Sequence, residues 1–107
     1  MIVEEEIVAL KIIKESVNEL LPESSILLFG SRARHDNTAD SDYDLMIITK
    51  DAHDNKEIRL FKSIIRKKLA QNRIPADIII QSKSEVEIKS KIIGHFVRQV
   101  LQEGVPL

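Results

Sequence analysis

Three short apolar runs constrain this chain more than any other feature: SILLF at Ser25 to Phe29, DYDLMIIT at Asp42 to Thr49, and DIIIQ at Asp77 to Gln81. Each is too short for a stable helix, and its apolar residues follow one another without alternation, the pattern of a strand covered on both faces. The covering elements are legible between them. Val3, Ile7, Leu10, Ile13, Val17 and Leu20 recur at steps of three and four, which predicts a helix over 3–21 that ends near Pro22. Ile58, Phe61, Ile64, Ile65 and Leu69 predict a second helix over 56–72, closed by Pro75. Val86, Ile92, Ile93, Phe96, Val97, Val100 and Leu101 predict one last helix over 85–103, stopped by Gly104 and Pro106. The order helix, strand, loop, strand, helix, strand, helix places the chain in the α/β class.

A chain of 107 residues has room for one hydrophobic core, so residues 1–107 are expected to form a single domain. The absence of cysteine removes disulfides, thiolate zinc sites and a cysteine nucleophile, and leaves oxygen or imidazole to hold any metal. The first segment, MIVEEEIVALKIIKE, is acidic from its fourth residue and lacks the apolar length of a signal peptide or membrane span. A cytoplasmic protein without membrane attachment is the expectation. With 16 basic and 17 acidic residues there is no global field to hold nucleic acid nonspecifically, so direct nucleic-acid binding is not expected.

Chemistry concentrates in GSRARHDNTADSDYDL, residues 30–45. Gly30 follows a buried strand directly, and its missing Cβ lets a ligand approach the backbone. Ser31 is expected to cap a helical turn beginning there, with backbone N–H groups and a hydroxyl facing a phosphate. After ten intervening residues come Asp42 and Asp44, on one side of a strand, while Tyr43 points to the other side and into packing. Most Asp-x-Asp pairs belong to solvated turns. This pair instead runs into Leu45, Met46, Ile47 and Ile48, where two like charges cost stability unless a cation compensates them. Asp77 opens the next apolar run in the equivalent position. If the two strands are neighbours, three carboxylates share one rim and make a hard-cation site, most readily for Mg2+.

Gly30-Ser31, ten residues, then Asp42-x-Asp44 resembles the signature of the DNA polymerase beta-like nucleotidyltransferase superfamily, and within it the minimal nucleotidyltransferase (MNT) branch. The similarity extends over nearly the whole chain, including the tail FVRQVLQEGVPL. It implies a nucleotidyltransferase fold, a small mixed β-sheet flanked by α-helices, with Asp42, Asp44 and Asp77 as catalytic metal ligands and Gly30 and Ser31 seating the triphosphate of ATP. It also implies a two-metal displacement at the α-phosphorus, with ions roughly 3.5–4 Å apart and Asp77 able to take the acceptor's proton. Many members carry glycine where this chain has His35, and histidine tolerates left-handed backbone, so a local adjustment of the loop is expected.

Stand-alone domains of this branch resemble the antitoxins of HEPN/MNT toxin–antitoxin pairs, which implies AMP transfer to a tyrosine of a HEPN-type ribonuclease. Three other readings stay open: a non-catalytic module acting by occlusion, a transferase for a small-molecule acceptor, and an RNA-binding regulator that uses the basic residues of segment 58–76. Arg32 and Arg34 have two uses open, a contact to the triphosphate or a salt bridge to an aspartate. His35, His53 and His95 read as surface or core histidines and not as metal ligands.

Overall fold

The computed structural model describes residues 4–107, so Val3 of the first apolar stripe lies outside the described residues. Helix α1 (Glu4–Leu20) leads into strand β1 (Ser25–Phe29), the short helix α2 (Gly30–Arg34), strand β2 (Tyr43–Thr49), helix α3 (Asn55–Gln71) and strand β3 (Ala76–Ser82). Helices α4 (Lys83–Ser90) and α5 (Phe96–Glu103) and a two-residue strand β4 (Val105–Pro106) complete the chain. The sheet order is β3-β2-β1-β4. Strands β1 and β2 pair antiparallel, β2 and β3 parallel, and β1 and β4 antiparallel, which gives the expected mixed sheet.

Period-two alternation divides the sheet into two packed faces. On one, Ile26, Leu28, Leu45, Ile47, Ile78 and Ile80 meet Ile13 and Val17 of α1 and Ile65 and Leu69 of α3. Spacings of four residues put each helical pair on one stripe. Ile13, Leu45, Ile47 and Leu69 are all 0% exposed, and each contributes roughly 1.5–3 kcal/mol by leaving water. On the other face, Phe29 and Met46 pack on Val97 and Val100 of α5, flanked by Ile79 and Val86. The apolar runs are unbroken because both faces are covered.

Helix starts follow side-chain chemistry. At α3, Asp54 accepts the Glu57 N–H while the Glu57 carboxylate accepts the Asp54 N–H, a reciprocal capping box, and Ser82 with Glu85 repeats the device at α4. The single helix expected over 85–103 is two. Gly94 sits at φ +80°, which a right-handed helix cannot hold, and His95 caps α5 by accepting the Val97 N–H on Nδ1 at 3.1 Å. His95 is therefore a cap and not a core residue. The tail after Gly104 is also more than a stop: β4 pairs with Leu27 and Leu28, and the Leu107 N–H reaches the Ile26 carbonyl at 3.0 Å. Pro106 is tolerated because β4 is an edge strand.

Candidate functional site

The parallel register sets Asp44 opposite Asp77, and the antiparallel register sets Phe29 opposite Asp44. Asp42 lies one residue before β2 and shares the parity of Asp44. All three carboxylates thus stand at one sheet edge, on the side covered by α4 and α5, with Asp42 and Asp77 exposed and Asp44 half-buried. Tyr43 points the other way and is buried beneath Arg32, whose guanidinium lies 4.1 Å from its ring centre.

Gly30 owes its identity to this edge. It holds φ +72°, and a Cβ built on it would lie 2.1 Å from Asp44 Oδ2. The Asp44 carboxylate rests against the backbone where β1 turns into α2, so a side chain here would displace a carboxylate of the site. Ser31 does not cap α2: the capping position is Phe29, which has no side-chain acceptor, and Ser31 lies inside the first turn. Its hydroxyl takes no hydrogen bond from or to the described residues. His35 ends α2 at φ 63°, ψ 28°, so histidine does adopt the left-handed position.

The loop arginines separate. Arg32 is 8% exposed and structural: it pairs with Glu6 at 2.9 Å and donates to the carbonyls of Ser41 at 3.0 Å and Ala39 at 3.4 Å. Its partner is a glutamate of α1 and not an aspartate. These bonds tie α1 and the 35–42 loop to α2. Arg34 is exposed and pairs with Asp36 at 3.2 Å and Glu103 at 3.4 Å.

Glu103, at the end of α5, is a fourth carboxylate at this edge that sequence reasoning did not find. Its Oε1 accepts the Gly30 N–H at 3.0 Å. Fifty-eight residues lie between Asp44 and Glu103, and only the packing of α5 across the sheet joins them.

Burial raises the Asp44 carboxyl above its ordinary range, and the charges of Asp77 and Asp42 raise it further, with Glu103 adding to and Arg34 opposing the effect. Crowded, partly desolvated carboxylates at a rim fit a divalent cation with oxygen ligands. Among the described residues, however, no three acidic, histidine or cysteine side chains are drawn close enough to form a ready-made metal cage.

A hollow of about 790 Å³ opens elsewhere. Glu5, Glu6, Arg32, Tyr43, Arg73 and Ile74 are among its lining, and none of the aspartates at positions 42, 44 and 77 is. It lies beside Tyr43, behind the carboxylate edge, so its size does not make it the reaction centre. Among the described residues no helix is long and apolar enough to cross a membrane.

Comparison with known proteins agrees with this geometry. One chain in the crystal structure of a mutant of the toxin–antitoxin MntA–HpeT superposes with a TM-score of 0.53 at 21% identity, covering 100% of this chain and 72% of that one. At that identity the likeness concerns the fold. No curated protein matches the sequence. The sequence pattern of the family described as "Nucleotidyltransferase domain" matches residues 10–105, from within α1 to β4, and so takes in the strand ends, the glycine turn and the carboxylates described above. The chain therefore belongs to the nucleotidyltransferase domain family.

Proposed function

We propose that this protein is a cytoplasmic, single-domain, Mg2+-dependent nucleotidyltransferase that moves AMP from ATP to a protein hydroxyl, a tyrosine of a cognate HEPN-type toxin, and so acts as an antitoxin. The observation that carries the reading is the register of β2 and β3, which puts Asp44 beside Asp77 at the edge where Gly30 makes room for the Asp44 carboxylate. Asp42, Asp44 and Asp77 hold the cation. When bound, it stabilises the charge that develops on the attacking and leaving oxygens.

The remaining work falls to the chain. Asp77, exposed at the outer end of the edge, accepts the proton of the acceptor hydroxyl. The acceptor's oxygen bonds to the α-phosphorus, the bond from that phosphorus to the bridging oxygen breaks, and pyrophosphate leaves. The triphosphate seats at the glycine turn, where the unengaged Ser31 hydroxyl gives it a hydrogen bond. Support for the antitoxin role comes from the likeness to a chain of the toxin–antitoxin MntA–HpeT crystal structure.

The test is intact mass of a co-purified or neighbouring-gene partner after incubation with this protein, ATP and Mg2+, beside an Asp42→Ala/Asp44→Ala double variant. Addition of AMP units only with the unaltered protein is expected. A complex that forms without any mass gain would replace the transferase with an occluding module or redirect the search to another acceptor.

A further inference from the structure

Glu103 does something that a plain phosphate loop has no need of: it places a carboxylate on the backbone donor beside the catalytic edge. Its Oε1 accepts the Gly30 N–H at 3.0 Å, and the same carboxylate pairs with Arg34, the exposed cation of α2. The contact is held from behind. The Glu103 side chain is 25% exposed, and the next residue, Gly104, donates its N–H to the Val100 carbonyl at 2.7 Å. A Cβ on Gly104 would lie 2.6 Å from that same carbonyl, and β4 then fastens the tail to β1. The last turn of α5 is thereby set against the glycine turn, and its carboxylate adds a negative charge felt by Asp44.

We propose that Glu103 is a built-in competitor for the nucleotide: its carboxylate occupies the Gly30 N–H and the Arg34 guanidinium that phosphate oxygens use, and it must swing aside before a nucleoside triphosphate can seat. This rests on the nucleotide-binding reading of Gly30 and Ser31 above. A carboxylate and a phosphate oxygen compete for the same donors because both are anionic acceptors of charge-assisted hydrogen bonds. The closed form lowers apparent affinity by the fraction of molecules that remain closed. Rotation about the Glu103 side chain alone opens the site, since the backbone stays fixed by Gly104 and β4. A partner that drew the Glu103 carboxylate to its own surface would switch the enzyme on.

The experiment is calorimetric titration of the full chain with each of the four common ribonucleoside triphosphates, in Mg2+ and in EDTA, and with pyrophosphate in EDTA. It compares the unaltered protein with Glu103→Gln and Glu103→Ala. Both variants are expected to bind on the order of tenfold more tightly, with pyrophosphate in EDTA showing the gain as well. Circular dichroism melts verify that α5 is intact, and Glu103→Asp, too short to reach Gly30, serves as a charged variant that is expected to bind tightly too. Unchanged affinity in all three variants overturns the competitor role while leaving nucleotide binding in place. Weaker binding confined to Mg2+ overturns it in favour of Glu103 as a cation ligand. If neither the unaltered protein nor any folded variant binds a nucleotide or pyrophosphate, the nucleotide reading itself falls and the inference with it.

Discussion

Replacing Gly30 with alanine isolates the contact on which the site depends. A left-handed backbone costs an L-residue about 1–2 kcal/mol, and Gly30 sits at φ +72°. Crowding adds to this, because the new Cβ would lie 2.1 Å from Asp44 Oδ2, 3.0 Å from its Cγ and 3.2 Å from its Cβ. Overpacking costs about 1–3 kcal/mol; here the low end applies, since a carboxylate tip can rotate away. Alanine also stiffens the unfolded chain, which returns about 0.4–1 kcal/mol. The net expectation is a loss of about 2 kcal/mol, or a fall in Tm of roughly 8–16 °C for a domain of this size. Urea denaturation followed by circular dichroism, in EDTA, measures it directly. The decisive arm is Gly30→Ala on an Asp44→Ala background, where the 2.1 Å and 3.0 Å contacts are gone and only the 3.2 Å approach to Cβ and the backbone strain remain. The alanine change should then cost about 1 kcal/mol less, as coupling between touching residues predicts. Equal costs in the two backgrounds would refute the claim that Gly30 is glycine because of Asp44.

Asp44→Asn is expected to raise thermal stability in EDTA while ending transfer. The folded carboxyl is raised by burial first and by Asp77 and Asp42 next, so its ionised form destabilises the fold at neutral pH, and a lower Tm for the variant would contradict this. Arg32→Met should cost about 3 kcal/mol, the low end for breaking a buried pair, because Glu6 retains some solvent; a urea midpoint within error of the unaltered protein would show that the Arg32 bonds to Glu6, Ser41 and Ala39 are dispensable. Glu85 is held below its ordinary value chiefly by the Ser82 backbone N–H, so its stabilisation is complete above the unfolded value of about 4.3 and fades as pH falls through the lower folded one. The stability gap between the unaltered protein and Glu85→Gln should therefore close on acidification, and a gap that widened would reverse the assignment.

Much of the architecture is legible before folding because its signals are local. Apolar runs flanked by turn residues report strands, and the steps at Ile13 and Val17 or Ile65 and Leu69 report helices, through rules that act over a few residues. The break between α4 and α5 had a local signal too, Gly94, which the apolar residues on either side of it masked. Ile93 is 88% exposed and Ile92 48%, so neither belongs to a buried stripe. The two-residue strand β4 had no such signal, since nothing in Val105 and Pro106 declares a pairing with Leu27 and Leu28.

The candidate site divides along the same line. Asp42 and Asp44 share a side by the geometry of any strand, and Gly30 marks a turn by its own nature. That Asp77 falls opposite Asp44 required a parallel register, that Gly30 is glycine to clear the Asp44 carboxylate required the antiparallel one, and that Glu103 reaches the Gly30 N–H required α5 to pack across the sheet. Sequence by itself determined which residues carry charge, where the strands and most helices lie, and which carboxylates share a strand side, because these follow from side-chain chemistry and the repeat of the backbone. Only the tertiary structure decided which strand ends meet and which distant carboxylate joins them, because those contacts depend on packing between segments that no local rule relates.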